Sequence, residues 1–587
     1  MTSQADKKIY LVGAKQIGYE EALDSEADIL RNHQQFDESL AFHQDLYFNK
    51  KRALERLVAF HVGVDAARVR ISYPKQWRRG GFNVAIPMIV FGDASRAEDQ
   101  TAASVEAERI DDDVARVVLL RCPLPARCAE TFHPGSVLEK MRCEMASYVW
   151  MQRHCPQVRI PHLYGFGFPD GHHFAYASRF SLFRRAILYI RQAWASFLRR
   201  PLPSNYLPVQ IPDCPVNVGY MVIEFFGPSF GKQLPLVVQN QPLASEPAKM
   251  RNLFRDVSRL MLAVARIPQP RIGAFRFNYD GTISLDNRPV TCDLCLLESE
   301  GAPRTMAVDR TYTNVDQYVS DLATFHEQRF LAAPNAAFDT VDCAVQMGVK
   351  AFVRAVAHHF TKGRQRDGPF VLYMSDQNAG NIMVDDDWNV TGIFDLEWII
   401  AAPVDAPRTP SWLTWDAIDV MAGARYEAYD TARGLFMDVF REEERLADTR
   451  ALEEALCGTT LSAAMDTSWS SGRFWFYSAL LSVDGMFHVV RRRLVPLFYA
   501  GKLPYAAFYR LFDPKPADVV RQKLGDRATY ETDLAKLFGR DAPSPETNKE
   551  AVTAEMIDAE LVRVHGKTET RDAATAAATE KAVEDKD

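Results

Sequence analysis

Cysteine is scarce and shows no pairing pattern. Nine residues in 587 are scattered at Cys122, Cys128, Cys143, Cys155, Cys214, Cys292, Cys295, Cys343 and Cys457. An odd, thin scatter excludes a disulfide framework and reads as packed thiols in a reducing compartment. A zinc site is disfavoured too, because Cys292-Asp-Leu-Cys295 is the single CxxC and has no second pair. Long apolar runs are also missing. No uncharged stretch reaches the ~20 residues that a membrane-crossing helix needs. The opening MTSQADKKIYLVG lacks the apolar core of a secretory leader. The expectation is a soluble cytoplasmic protein with no membrane span. Positive charge is not in excess: 69 Lys and Arg against 76 Asp and Glu leave −7, which argues against a nucleic-acid coat. Thirty glycines and 32 prolines follow no period, so collagen-like and repeat designs are excluded.

What is present is apolar bulk. Hydrophobic residues make up 47% of the chain, with 35 Phe, 21 Tyr and 9 Trp, which excludes disorder of the whole. The length exceeds the ~100–200 residues of one ordinary domain. Residues 1–35 are polar and mixed and read as a loosely held arm. Leu40, Phe42, Leu46, Leu54, Leu57 and Phe60 then follow helical spacing up to about Val62. Strands are expected at 69–73, 82–86, 117–121 and 220–226, an acidic loop at about 92–113, and a helix over 136–154. Between Arg179 and Arg200 six arginines alternate with Phe, Ile, Leu and Trp. This segment reads as an inserted helix with a solvated face; the same pattern can also touch a membrane surface or an acidic partner. Helices are expected at 247–267 and 315–360, strands at 370–398, and more helices from about 415 to 540. Beyond Asp541 aromatics vanish, and the tail reads as disordered or as a frayed helix.

The chemistry concentrates in residues 369–398. An apolar strand at 370–374 runs into a polar loop carrying Asp376. Asn381 opens a second strand, Asp386-Asp-Trp-Asn389 makes a turn, and a third strand returns to Asp395. A turn centred near Trp388 sets 381 opposite 395. Two carboxylates and an amide oxygen then meet at one end of a hairpin. Hard oxygen donors of this kind suit Mg²⁺, with substrate phosphates completing its shell. The spacing D-x4-N-x13-D therefore points to phosphoryl transfer: Asp376 orients and deprotonates a hydroxyl, while Asn381 and Asp395 hold the metal. Taken singly, each residue is better explained structurally, Asp376 and Asn378 as shaping a turn and Asp395 as capping the next segment; the joint spacing favours the kinase-like site.

Through SDQNAGNIMVDDDW and IFDLEW the chain resembles the aminoglycoside phosphotransferase-like, choline-kinase-related kinases, above all their large fungal branch. The resemblance spans about residues 70–420 and includes RRGGFNVAIPM, VVLLRCPLP, LEKMRCEMASYVWMQ, IPHLYGFG and GYMVIEFFG. It implies an α+β, two-lobed protein-kinase-like fold with ATP between a small β-rich N-lobe and a larger helical C-lobe. The implied division is 1–63 arm and helix, 64–227 N-lobe with insertions, 228–540 C-lobe with extra helices, and 541–587 disordered tail. It makes Asp376 the catalytic-loop base and Asn381 and Asp395 the metal ligands, with Glu397 in support. Gly80, Gly81, Phe82 and Asn83 fall at the nucleotide loop, and Glu224, Phe225 and Phe226 at the hinge against adenine. Two positions differ from the family pattern. Met374 stands where His is usual, and Arg121 stands at the strand-three Lys position, with Glu144 as its ion-pair partner. Glu144 also stands at i,i+4 from Lys140, and Arg121 also suits a strand edge.

The implied function is transfer of the γ-phosphoryl of ATP, with Mg²⁺, to a hydroxyl of a small molecule, with no nucleic-acid partner. Glu442, Glu443 and Glu444 can attract a cationic acceptor or simply form a solvated helix face. Met374 and Arg121 keep open a pseudokinase, a nucleotide-binding or scaffold module with a protein partner and no turnover.

Overall fold

Runs of Val, Ile and Leu bounded by turn residues build the first layer of the protein. In the computed structural model, which describes residues 7–92, 114–239, 241–363, 365–483, 485–500, 505–541 and 552–563, these runs form one antiparallel sheet. Asn83–Phe91 and Val114–Pro123 are longer than their sequence signals and pair from Asn83 opposite Pro123 to Phe91 opposite Val114. The spatial order is Val69–Ile71, Asn83–Phe91, Val114–Pro123, Tyr220–Glu224, Leu163–Gly167, His173–Tyr176 and Tyr206–Val209, with Arg78–Arg79 added beside Asn83–Phe91. Alternation along Tyr220–Glu224 assigns the two faces. Tyr220 and Val222 pack under the helix Lys51–Val62, whereas Met221 and Ile223 join the main core beneath the helix Ser136–His154.

From Glu224 the chain leaves this sheet through Phe225–Gly231 and enters a helix-rich region. A three-stranded sheet there holds Lys232–Gln233, Ile382–Val384 and Val390–Ile393. A four-stranded sheet holds Ile283–Asn287, Gly273–Phe277, Ile399–Ala402 and Val371–Met374. The expected helices are found at Pro247–Ala265, Val315–Ala332 and Thr340–Thr361, and Ala424–Leu446 and Pro516–Phe538 extend the helical part. The protein is thus mixed α+β, sheet-rich toward its N-terminus and helical toward its C-terminus.

Both chain ends differ from expectation. The arm is not loose: Ile9, Leu11, Ile17, Ala22 and Ile29 are buried against Tyr530, Leu534 and Phe538. The Tyr530 hydroxyl accepts the Ile29 N–H at 2.8 Å. In the expected disordered tail, residues 554–563 form a helix with Ile557 and Leu561 buried, and Tyr509 donates to Asp558 at 3.0 Å. In both cases a few apolar residues suffice because a distant helix supplies the other wall. The acidic loop from 93 to 113 and the remaining tail lie outside the described residues.

Candidate functional site

Val371–Met374 is a buried strand edge-bound to Ile399–Ala402, so the chain must emerge at Ser375. The Ser375 N–H and hydroxyl both donate to the Trp398 carbonyl, at 2.9 Å each. This ties the Asp376 loop to the segment that carries Glu397. No hydrogen bond to the Asp376 carboxylate is formed among the described residues. Burial, then the charges of Glu397 and Asp293, push its pKa up to about 6. Asp376 lines an open cleft of about 570 Å³ together with Asp293, Asp416, Asp419, Trp412 and Trp415.

The hairpin differs from the expected register by one residue. Ile382 faces Ile393 and Met383 faces Gly392, with a bulge before Val384 faces Val390. Asn381 therefore meets Phe394, whose N–H donates to the Asn381 carbonyl at 3.1 Å. The turn causes the slip. Asp385 Oδ1 accepts the N–H groups of Asp387 and Asn389, and Trp388 is buried with a left-handed φ of 61°. Such a slip would send an extended Asp395 to the wrong face. Instead Asp395 leaves the strand in the left-handed region, φ 66°, a conformation a non-glycine residue keeps only under tertiary constraint.

That turn brings Asp395 Oδ1 to 2.5 Å from Arg121 Nη2. Arg121 also pairs with Glu144 through Nη1, and Glu397 lies 3.4 Å from its Nη2. Lys140, one helical turn before Glu144, pairs with Glu397, sits 3.5 Å from Glu144, and donates to Asn83 Oδ1 at 3.2 Å. The Asn83 amide donates to Glu397 at 3.1 Å. Three carboxylates thus face two cations, leaving one negative charge in excess. Burial opposes the charges of Arg121 and Lys140, but the carboxylates hold both above their ordinary range. Burial likewise opposes the charge on Glu397, yet Lys140 and Arg121 hold it below the carboxylate range. Asp395 takes the surplus and is raised by burial and by Glu397 despite Arg121. Glu144 and Glu397 are almost fully buried, whereas 27% of the Asp395 side chain is open. Asp395 is therefore the member that can meet a ligand.

The donor set can be tested against a divalent cation. Oxygens of Glu144, Asp395 and Glu397 lie within 4.8 Å of one another. Two of the three carboxylates are already neutralised by Lys140 and Arg121. The Asn381 side chain and the second Asp395 oxygen make no hydrogen bond among the described residues. These uncommitted hard oxygens fit Mg²⁺.

The remaining expected residues divide into two groups. Gly80 and Gly81 are exposed in the turn before Asn83–Phe91, with the Gly80 N–H on the Asn83 carbonyl at 2.8 Å. Phe82 turns inward onto Trp398 at 5.0 Å, and Asn83 belongs to the charged network. Glu224 is held by Arg159 at 2.6 Å and accepts the His162 N–H at 2.9 Å. Phe225 lies under Arg78, while Phe226 stacks on Phe230 at 4.6 Å beneath Arg159. The acidic run is used structurally. Glu442 pairs with Arg251, Glu443 pairs with Arg259, and Glu444 accepts backbone N–H groups at Leu461 and Ser462. Two members of the site went unread in the sequence. Lys140 was visible as an i,i+4 partner of Glu144, but its reach to Glu397 depends on a contact 257 positions away (397 − 140). Asp293 carried no signal beyond opening a helix after Thr291. Comparison with protein-family models, curated proteins and solved structures finds no match for this chain.

Proposed function

We propose that the protein is an ATP- and Mg²⁺-dependent phosphotransferase acting on a hydroxyl of a small molecule, built as a two-lobed kinase-like fold with the Phe225–Gly231 crossing as hinge. One observation carries the reading: Asp376, which forms no hydrogen bond among the described residues, and Asp395, which keeps one oxygen free of its Arg121 pair, stand on loops tied together through Trp398 and Glu397, above a buried Arg121–Glu144–Lys140–Glu397 network. In the proposed reaction Asp376 accepts the acceptor's hydroxyl proton as that oxygen bonds to the γ-phosphorus of ATP, and the bond from this phosphorus to the β,γ-bridging oxygen breaks to release ADP. Arg121 and Lys140 keep the Asp395 and Glu397 loop in one geometry, so little reorganisation is needed at the moment of transfer. Asn381 and Asp395 would hold Mg²⁺, which when bound neutralises phosphate charge. The cleft beside Asp376, with Asp293, Asp416 and Asp419 near Trp412 and Trp415, suits a cationic alcohol as acceptor.

A second reading has its own support. Arg121 already contacts Asp395 at 2.5 Å, and a scaffold that binds nucleotide without turnover would use such a contact in place of a metal. Thermal unfolding with ATP, with and without Mg²⁺, separates the two. A Mg²⁺-dependent rise in Tm that vanishes in Asp395→Ala, together with Mg²⁺-dependent turnover that is lost in the same variant, is the expected result. A rise with ATP alone, unchanged in Asp395→Ala, favours the scaffold. No rise at millimolar ATP defeats both.

A further inference from the structure

The helix Leu182–Phe197 is turned inside out relative to the rest of the protein. Leu188 is its one buried residue, and Gln192, one turn on, donates to the Pro203 carbonyl at 3.1 Å. These two define the side facing the body. At 100° per residue, Leu182, Phe183, Ile190, Trp194 and Phe197 all fall within about 60° of the pole opposite Leu188. Their exposures are 77%, 75%, 65%, 63% and 78%. An amphipathic helix normally buries this face. Here it points outward, and none of the described residues covers it.

Charge narrows the choice of occupant for this face. At the same pitch Arg185 and Arg191 stand about 60° from Leu188 on opposite sides, between the apolar face and the body, and Arg184 lies about 40° from Leu188 with its side chain exposed. Arg199 and Arg200 follow at the helix's C-terminal end. No aspartate or glutamate occurs from Gly171 to Pro212, in a chain whose net charge is −7. None of these five arginines pairs with a carboxylate among the described residues. A second copy is a poor occupant, because apposing two such helices brings two sets of unpaired arginines together. A bilayer with anionic headgroups meets both demands at once: acyl chains take the outward apolar face, and phosphates take the flanking guanidinium groups. Trp194 and the 74% exposed Tyr189 stand where amphipathic rings favour the membrane–water boundary. Sixteen residues interrupted by arginine are too short and too charged to cross, and no described helix is long and apolar enough to do so.

We propose that Leu182–Phe197 is an in-plane anchor that docks the protein on an anionic membrane surface. The docking is independent of the phosphotransfer reading. The test is co-sedimentation of the full chain with vesicles of phosphatidylcholine alone or with about one-third phosphatidylserine, at low and high salt. Binding is expected to the phosphatidylserine vesicles, weakened by salt. It should fall at least tenfold in Phe183→Glu/Ile190→Glu and in Arg184→Glu/Arg191→Glu, with Tm unchanged because all four side chains are exposed. Trp194 emission should shift to the blue on binding by the wild type. Three results overturn the proposal: no sedimentation with either vesicle, sedimentation indifferent to both double variants, or a dimer in solution that Phe183→Glu/Ile190→Glu dissociates.

Discussion

Asp376 is a partly buried carboxylate that forms no hydrogen bond among the described residues, and its surroundings set a measurable pH dependence. Its folded-state pKa of about 6 stands above the ordinary carboxylate value, so the native protein holds a proton that the unfolded chain has already lost. Stability from this site is complete below about pH 4 and falls as pH rises through about 6. Asp376→Asn should therefore raise stability at pH 8 by up to about 2 kcal/mol, with little gain at pH 4, read from urea midpoints. If the protein is the phosphotransferase we propose, the same variant should keep nucleotide binding and lose turnover by about 10²-fold or more. In the wild type, turnover should climb with pH through about 6. Lys140 has the opposite character. Removing its charge leaves Glu397 and Glu144 buried with less compensation, so Lys140→Met should cost ~3–5 kcal/mol of stability. Chemical denaturation checks this; a loss below about 1 kcal/mol would show that Arg121 alone compensates the cluster.

At the scale of elements, the hairpin Ile382–Val384 with Val390–Ile393 shows how far a local pattern reaches. Its existence follows from β-branched runs around an Asp-Asp-Trp-Asn turn, and the strands are where they are expected. Its register does not follow, because the bulge depends on Trp388 being buried and left-handed. The helix Ser136–His154 matches its expected bounds for a related reason: its apolar spacing is local information. The strands Leu163–Gly167, His173–Tyr176 and Tyr206–Val209 carry no such alternation. They are strands because they extend an existing sheet edge. Gly231 joins the short strand Lys232–Gln233 to the hairpin with φ +98°, and a Cβ there would run into the Val384 carbonyl oxygen. Gly231→Ala is expected to destabilise the protein by about 2 kcal/mol or more and, on the proposed function, to weaken nucleotide binding, since the crossing from Phe225 ends there. Calorimetry and thermal shift on the same sample measure both.

Across the whole molecule an N-terminal segment closes on a helix more than 480 positions later in the chain (516 − 30 = 486). Residues 9–30 pack on the helix Pro516–Phe538, and Arg31 and Gln35 continue the contact to the carbonyls of Ala126 and Ser299. Deleting residues 1–30 exposes the Tyr530, Leu534 and Phe538 face and should lower Tm by several degrees and promote aggregation, read by scattering during a thermal ramp. An unchanged Tm would mean that the clasp is incidental. The sequence by itself determined the strands Asn83–Phe91, Val114–Pro123 and Tyr220–Glu224 in outline, the helices at Ser136–His154, Pro247–Ala265 and within 315–360, and the candidate polar loop and hairpin with Asp376, Asn381 and Asp395. Each of these is written in neighbouring residues, through periodicity or turn chemistry. Only the tertiary structure decided the hairpin register, the pairing of Arg121 with Asp395, the entry of Lys140 into the site, the docking of both chain ends, and the outward face of Leu182–Phe197. Those outcomes depend on which surfaces remain free once hundreds of residues have packed, and no local spacing encodes that.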